Sequence, residues 1–397
     1  MGARPGRDRG PGAGRRGGRG EIRRAGQEAA LSAVRPRPGV RPGGAAPFRG
    51  ARLWRGRCDA GSRPAATGGG CSCCPEWKSP ISETNPDPER TEPSLTTPTR
   101  TVKVAYVTDR GFLRPTLVSV WSMLQHLQGP AELHVWGDGL QAADWADVEK
   151  VAAENPRVAL HCRDIGSGYL DGAHGPQSYI SAATMGRLFI PRLIDGYVLY
   201  IDGDTLVTGD VSELFRLDLG GAYAGVVRDY TVAHWLSDQD GGSGARKARL
   251  SEIRQLMDPA PVQDYFNAGV LLLNCDALRA QPALLERVAD VVAASACSHG
   301  DQDHLNALFC GNVVQLDLGW NASWGRIRKH RAHLSRNGTP ATGALPGRGS
   351  VILHYHGPEK PWRATGWDIW SSRGRATKIY KRALRRFLRR HPDLCPT

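Results

Sequence analysis

The sequence lacks any apolar run long enough to cross a membrane. In its 397 residues, no segment approaches the roughly 18–20 consecutive apolar residues that a spanning helix needs. The charged N-terminal stretch is not followed by an apolar core, so it does not resemble a secretory signal. We therefore expect a cytoplasmic protein that can reach a membrane only peripherally, on its inner face.

A disulfide framework is also absent. The chain has nine cysteines, an odd number, and four of them lie at positions 58, 71, 73 and 74 while the rest are widely scattered. This usage favours free thiols in a reducing compartment. The cluster at 71–74 raises the alternative of a metal site, but no second Cys or His pair follows at zinc-ligand spacing.

Basic charge is lacking in the middle of the chain, although the net charge is +13. Residues 1–100 hold 19 basic and 9 acidic side chains, and residues 371–397 hold 9 basic and 1 acidic. The intervening residues 101–370 hold 24 basic and 29 acidic side chains. Because this central part is mildly acidic, we expect no nucleic-acid partner for it.

The N-terminal hundred residues have few apolar side chains. Residues 1–70 contain 18 Gly and 7 Pro, and residues 75–100 are rich in Pro, Ser, Thr and Glu. Such a segment cannot bury enough surface to offset its ordering entropy, so we predict a disordered leader over residues 1–100. An Arg/Gly-rich arm could bind RNA or an anionic surface. We favour the simpler interpretation of a dispensable leader.

Alternating apolar strands and amphipathic helices begin abruptly at Val102. The patterns predict helices over 115–127 and 142–154. They predict strands over 102–107, 132–136, 158–162, 197–201 and 269–273. This order implies an α/β domain over residues 101–370, with an open, mostly parallel sheet and flanking helices. Ligands of such sheets bind at the carboxyl ends of the strands, so the polar residues there are the candidates for chemistry.

Asp202-Gly203-Asp204 directly follows the apolar strand at 197–201. Two adjacent carboxylates repel each other unless a cation neutralises them. A hard divalent ion, Mn²⁺ or Mg²⁺, would do so and leave positions open for phosphate oxygens. A solvated turn is the alternative, but the apolar residues on both sides of this motif favour a metal site.

Three further segments follow in order: Tyr265-Phe-Asn267-Ala268-Gly269, Asp301-Gln302-Asp303 and His354-Tyr-His356-Gly357-Pro-Glu-Lys360. With Asp202-Gly203-Asp204 they resemble the family 8 retaining glycosyltransferases, which have a GT-A fold. The resemblance covers about residues 102–370 and is greatest to the bacterial lipopolysaccharide galactosyl- and glucosyltransferases. It implies transfer of a hexose, galactose or glucose, from a UDP-sugar to a saccharide or glycolipid acceptor.

The resemblance also assigns residues. The metal ligands are Asp202, Asp204 and His354, and His356 is not chosen as a ligand. The donor-binding residues are Asp109, Phe112, Arg187, Asn267, Ala268, Gly357 and Lys360. The candidates at the reacting face are Asp301 and Gln302. Neither has an evident activator, so double displacement is not established, and we favour attack from the face that UDP leaves.

Two other functions are compatible with this motif set. One is a metal-dependent nucleotide-sugar hydrolase or nucleotidyltransferase, which would release free sugar with UDP, or UMP. The other is a non-catalytic scaffold that keeps the fold. The retention of Asp202, Asp204, His354 and Lys360 argues against the scaffold, because a decayed site usually loses a ligand.

The C-terminal residues 371–397 form a predicted basic tail. Apolar Tyr380, Phe387 and Leu388 recur at helical spacing within 378–390, and six basic residues fill the other face. Such a helix can lie in the interface of an anionic membrane, with its rings among the headgroups. The alternative is a helix whose apolar stripe packs on the catalytic domain. We favour the membrane.

Overall fold

The computed structural model describes residues 100–394 except 167, 176–180, 239–241, 346–348, 365–367 and 369. The predicted disordered leader therefore lies outside the described residues, apart from Arg100. Within the described part of the chain, the structure has no helix with the length and apolarity required to span a bilayer.

A seven-stranded sheet forms the centre of the domain. Its strands, in spatial order β3-β2-β1-β4-β7-β6-β8, are β3 (Val158–Asp164), β2 (Ala131–Asp138), β1 (Val102–Asp109), β4 (Tyr197–Ile201), β7 (Phe266–Asn274), β6 (Ala224–Arg228) and β8 (Val313–Gln315). The four strands from β3 to β4 are parallel. Every strand predicted from the sequence is present, and the predicted open, mostly parallel α/β sheet is confirmed.

Eleven helices surround the sheets in the described residues. They are α1 (Leu113–His126), α2 (Ala142–Ala152), α3 (Ile190–Leu193), α4 (Tyr230–Leu236), α5 (Gly244–Met257), α6 (Cys275–Arg279), α7 (Pro282–Val288), α8 (Val291–Ser295), α9 (Asp301–Phe309), α10 (Ile327–Arg336) and α11 (Ser372–Arg390). Short 3-10 turns span Arg110–Phe112, Ala182–Phe189, Val211–Arg216, Val262–Asp264 and Leu318–Asn321. Separate apolar clusters cover the two faces of the sheet. One packs against α1, α2 and α11, and the other against α3, α6 and α9.

Strand β7 runs antiparallel to both of its neighbours, β4 and β6. Its apolar sequence predicted a buried strand but could not give this direction. Because of the reversal, the beginning of β7 lies beside the carboxyl end of β4, where Ile201 pairs with Val270. Asn267 and Gly269 thus reach the same edge of the sheet as Asp202.

A second, three-stranded sheet completes this edge. It contains β5 (Thr205–Val207), β10 (Ile352–His354) and β9 (Ala322–Ser323), in spatial order β5-β10-β9. Strand β5 begins one residue after Asp204, and Thr205 pairs with His354 across the antiparallel ladder. This pairing brings together residues that are 149 positions apart in the sequence.

The C-terminal helix α11 confirms the predicted helix but corrects the position of its rings. Tyr380 and Phe387 are fully buried. Phe387 packs edge-on against Trp121 of α1, and Tyr380 packs against Tyr355 and Trp362. The prediction that these rings lie among lipid headgroups is therefore wrong, because Trp121, Tyr355 and Trp362 of the α/β domain already pack against them. Membrane association through the basic face stays a prediction.

Candidate functional site

Asp202, Asp204 and His354 converge at the edge between the two sheets. One ligand atom from each lies within 4.8 Å of the others. The His354 Nε2 atom is 3.1 Å from Asp204 Oδ1 and 3.7 Å from Asp202 Oδ2. Asp204 and His354 are buried, whereas the Asp202 side chain is 22% exposed. Two carboxylates and an imidazole in this arrangement fit a divalent cation such as Mn²⁺.

Two glycines leave room for this cluster. A Cβ atom at Gly269 would lie 2.2 Å from His354 Cε1 and 2.6 Å from Asp202 Oδ2. At Gly203 it would lie 2.1 Å from the hydroxyl oxygen of Thr116 on α1. Since these separations are far below van der Waals contact, any larger residue would push the ligands or the Asp202–Asp204 turn out of place.

Lys360 neutralises the most buried carboxylate of the group. Its Nζ donates to Asp204 Oδ2 at 2.6 Å and to the carbonyl of Tyr355 at 3.3 Å. Burial opposes ionisation of Asp204, but its interactions with Lys360 and His354 outweigh burial and hold the pKa of this carboxyl well below its usual range. Gly357, three residues earlier, has φ +94°, a conformation that glycine adopts without strain.

Arg187 links the group of Asp202, Asp204 and His354 to the start of α9. Its side chain is almost completely buried and forms ion pairs with Asp202 Oδ1 at 3.2 Å and Asp301 Oδ2 at 2.6 Å. It also donates to the carbonyl of Ala268 at 2.7 Å. Burial raises the pKa of Asp301 to about 6, although Arg187 opposes this shift. Arg187 therefore holds both carboxylates in place.

Gln302 is fixed by hydrogen bonds at both ends of its amide. Its Oε1 accepts from Asn267 Nδ2 and from the backbone N–H of Ala268, each at 3.1 Å. Its Nε2 donates to the Tyr265 hydroxyl at 3.1 Å. Because an amide oxygen has two lone pairs, both are engaged here.

Phe112 lies beside Lys360, and Asp109 at the end of β1 hydrogen-bonds to the backbone of Phe112. Asp109 Oδ1 accepts from the backbone N–H of Phe112 at 2.7 Å and so caps the following 3-10 turn. The Phe112 ring stands edge-on to Trp362, and the Lys360 ammonium lies 5.7 Å from the centre of the ring. The structure thus brings every residue assigned from the sequence to one edge of the domain.

The comparisons with known proteins decide the family. The model of glycosyl transferase family 8 matches residues 103–366. The chain belongs to glycosyl transferase family 8. The lipopolysaccharide 1,2-glucosyltransferase of Escherichia coli (strain K12) is 26% identical over 292 residues, 71% of this chain and 77% of that protein. The lipopolysaccharide 1,3-galactosyltransferase of Salmonella typhimurium (strain LT2) is 25% identical over 274 residues, 66% of this chain and 73% of that protein.

Solved structures support the same fold. The galactosyltransferase LgtC, crystallised with donor and acceptor sugar analogs, matches with a TM-score of 0.52 and 25% identity. The match covers 71% of this chain and 96% of LgtC. The predicted resemblance to family 8 lipopolysaccharide transferases and the predicted GT-A fold are therefore confirmed, and the protein is a glycosyltransferase by family.

Asn321 and Asp229 of this family 8 domain were missed by the sequence reasoning. Asn321 Oδ1 lies 2.9 Å from His354 Nδ1, and its Nδ2 donates to Asn267 Oδ1 at 2.9 Å. Asp229 caps α4 and accepts from Asn267 Nδ2 at 3.3 Å. The sequence does contain a signal for Asn321, which is a single polar amide between the apolar residues Trp320 and Ala322.

His356 differs from His354 in its surroundings. Its Nε2 lies 2.6 Å from the Ser323 hydroxyl, and burial lowers its pKa to about 3. Its ring stands edge-on to that of His354. His356 thus contacts the His354 ring and is not one of the three residues of the possible metal group.

Proposed function

We propose that this family 8 protein is a metal-dependent, retaining hexosyltransferase that moves galactose or glucose from a UDP-sugar to a saccharide or glycolipid acceptor. One observation carries the proposal. The Asp202, Asp204 and His354 ligand atoms lie within 4.8 Å of one another, and the Lys360 ammonium is 2.6 Å from the same Asp204 carboxylate. A cation site beside a fixed lysine suits a diphosphate leaving group.

The ligand set fits Mn²⁺ or Mg²⁺, with Asp202, Asp204 and His354 as the holding residues. When bound, such an ion would neutralise the negative charge that develops on the diphosphate. Lys360 adds a second positive charge at the same place, since it already contacts Asp204. Arg187 keeps Asp202 oriented, and its buried position means that it loses little freedom when the donor binds.

The surroundings of Gln302 favour attack from the face that UDP leaves. A nucleophile in a double displacement would need a free lone pair aimed at the sugar. Gln302 Oε1 already accepts two hydrogen bonds, and Asp301 is ion-paired with Arg187. We therefore infer that Gln302, Asn267 and Ala268 shape the sugar pocket, and that the acceptor hydroxyl attacks directly.

The names of the relatives support the choice of hexose. Two of them are named as a lipopolysaccharide glucosyltransferase and a lipopolysaccharide galactosyltransferase. We propose UDP-glucose or UDP-galactose as the donor and a cell-envelope glycan or glycolipid as the acceptor. An acceptor of this kind would suit a cytoplasmic enzyme at the inner face of a membrane. The exposed basic face of α11, which includes Arg382, Arg385, Arg386 and Arg389, could hold it there.

The test is a panel of UDP-sugars with Mn²⁺, in which UDP release and the glycoside product are both measured. We expect turnover with one hexose donor, a product that keeps the anomeric configuration, and no activity in excess EDTA. Asp204→Asn should lower the rate by about 10²-fold or more, whereas Asp171→Asn, at an exposed position, should not. Free sugar without an acceptor, or release of UMP, would favour the hydrolase or nucleotidyltransferase instead.

Vesicle co-sedimentation tests the membrane proposal separately. Arg385→Glu with Arg386→Glu should reduce binding to anionic vesicles and leave the fold intact, because both side chains are exposed. Equal binding of wild type and variant would count against the basic face as the contact.

A further inference from the structure

A second group of possible metal ligands lies away from the catalytic edge, on the face of β2 and β3. It consists of Glu132, His134 and His161. His134 and His161 are paired directly across the parallel ladder, and Glu132 precedes His134 by two residues. Since side chains alternate along a strand, Glu132 and His134 point to the same side of the sheet.

The three side chains are close enough to share one ion. One ligand atom from each lies within 4.8 Å of the others. The imidazole rings of His134 and His161 are stacked with centres 4.7 Å apart, and His134 Nε2 is 3.3 Å from Glu132 Oε2. This is one of two such groups among residues 100–394, where the structure describes the chain, and the other is Asp202, Asp204 and His354.

Among the residues that the structure describes, nothing fully buries the side chains of this group. Trp136, the next residue on the same face, is buried in the second apolar cluster. By contrast, Glu132 and His134 are half-buried, and His161 is exposed. An ion could therefore reach the cluster from solvent, and a water molecule could complete its coordination.

We infer that Glu132, His134 and His161 form a second divalent-metal site, selective for Zn²⁺ over Mn²⁺. Two imidazole nitrogens and one carboxylate oxygen suit Zn²⁺, which commonly takes three protein ligands and a water. The catalytic group has two carboxylates, the ligands that Mn²⁺ prefers.

The nearest competing charge is already engaged. Lys103 Nζ is 3.9 Å from Glu132 Oε2, but its closer partner is the carboxylate of Asp195. Glu132 can therefore turn toward an ion without leaving Lys103 unpaired. The alternative is a solvated pair of stacked imidazoles that takes no metal.

A metal ion at this site would stabilise the pairing of β2 and β3 at the edge of the sheet. Strand β3 is the terminal strand, and its partner in the sheet is β2. A Zn²⁺ ion held by residues of both strands would oppose fraying of this edge, because it binds the folded pairing and not the separated strands.

Zn²⁺ titration of the full chain by calorimetry, at pH 7.5 and with any affinity tag removed, tests the inference. Wild type should bind one more Zn²⁺ equivalent than His161→Ala, and the corresponding affinity should fall at least about tenfold in Glu132→Gln. Zinc that binds elsewhere, for example to the leader cysteines or to the carboxylates of the main site, binds equally to wild type and to each variant. It therefore does not affect the difference between them. His174→Ala, which removes another exposed histidine, should bind as wild type does.

Thermal unfolding supplies a second readout. In EDTA the melting temperatures of wild type and His161→Ala should agree, since His161 is exposed. Added Zn²⁺ should raise the melting temperature of wild type more than that of the variant, and added Mn²⁺ should not distinguish them. Identical zinc stoichiometry and affinity in wild type and His161→Ala would overturn the proposal and leave a stacked histidine pair without a metal.

Discussion

Gly269→Ala should disable the proposed metal site at Asp202, Asp204 and His354 without removing any of these side chains. Gly269 lies within β7, where the extended backbone accepts any residue, so the effect comes from space alone. The added Cβ would lie 2.2 Å from His354 Cε1 and 2.6 Å from Asp202 Oδ2. Ordinary contacts are 3.4 Å or longer, so the ring and the carboxylate must each shift by about 1 Å.

The His354 ring has little freedom to make this shift. It is buried, its Nδ1 lies 2.9 Å from Asn321 Oδ1, and its strand β10 is paired on both sides. Overpacking of this kind typically costs about 1–3 kcal/mol of folding stability. A ligand that is misplaced, but present, should weaken metal binding by about 10–100-fold, as changes next to metal ligands do.

The assay measures transferase rate against Mn²⁺ concentration, together with urea unfolding in EDTA. We expect the half-saturating Mn²⁺ concentration to rise by about 10–100-fold. Gly225→Ala is the matched control, a strand glycine of the same sheet whose Cβ would meet the flexible ends of Leu316 and Leu219 at 3.2 and 3.3 Å. A Gly269→Ala enzyme with the wild-type Mn²⁺ requirement would refute the reasoning.

Three further perturbations test other parts of the chain. Deletion of residues 1–97 should leave the melting temperature and donor turnover nearly unchanged, because that composition cannot form a core. Truncation after Gly374 should lower the unfolding free energy by about 3 kcal/mol or more, since it removes the buried rings of Tyr380 and Phe387. Burial lowers the pKa of His330 from 6.5 to about 4. The contribution of the neutral His330 ring to the free energy of unfolding is complete above pH 6.5 and should decline by about 3 kcal/mol as the pH falls to 4. The His330→Gln variant should lack this decline when the free energy of unfolding is measured by urea titration at each pH.

Each of these has a clear opposing result. An insoluble protein after leader deletion would mean that the leader packs on the domain. An unchanged melting temperature after C-terminal truncation would mean that α11 contributes nothing to the core. If His330→Gln and wild type lose stability in parallel between pH 6.5 and 4, with exposed His174→Gln as the control, the acid sensitivity belongs to other groups.

The sequence alone predicted the strands and helices that the structure shows, and it predicted a cation site at Asp202 and Asp204. Continuous apolar runs and 3.6-residue periodicity predicted the strands and helices because burial of apolar surface imposes those periods locally. Asp202-Gly203-Asp204 predicted a cation because two adjacent carboxylates need one. His354 and Lys360 came only from the family resemblance, since no local pattern connects residues 150 positions apart.

Only the tertiary structure decided which residues share a site and which faces are free. The direction of β7, which brings Asn267 and Gly269 beside Asp202, depends on how the chain returns to the sheet and not on its composition. The tail shows the same limit. The apolar stripe of an amphipathic helix requires an apolar surface to pack against, but the sequence does not identify that surface. The structure shows that Tyr380 and Phe387 pack against the α/β domain. Asn321 entered the site because two separate strands bring it against His354, a proximity that no sequence period encodes.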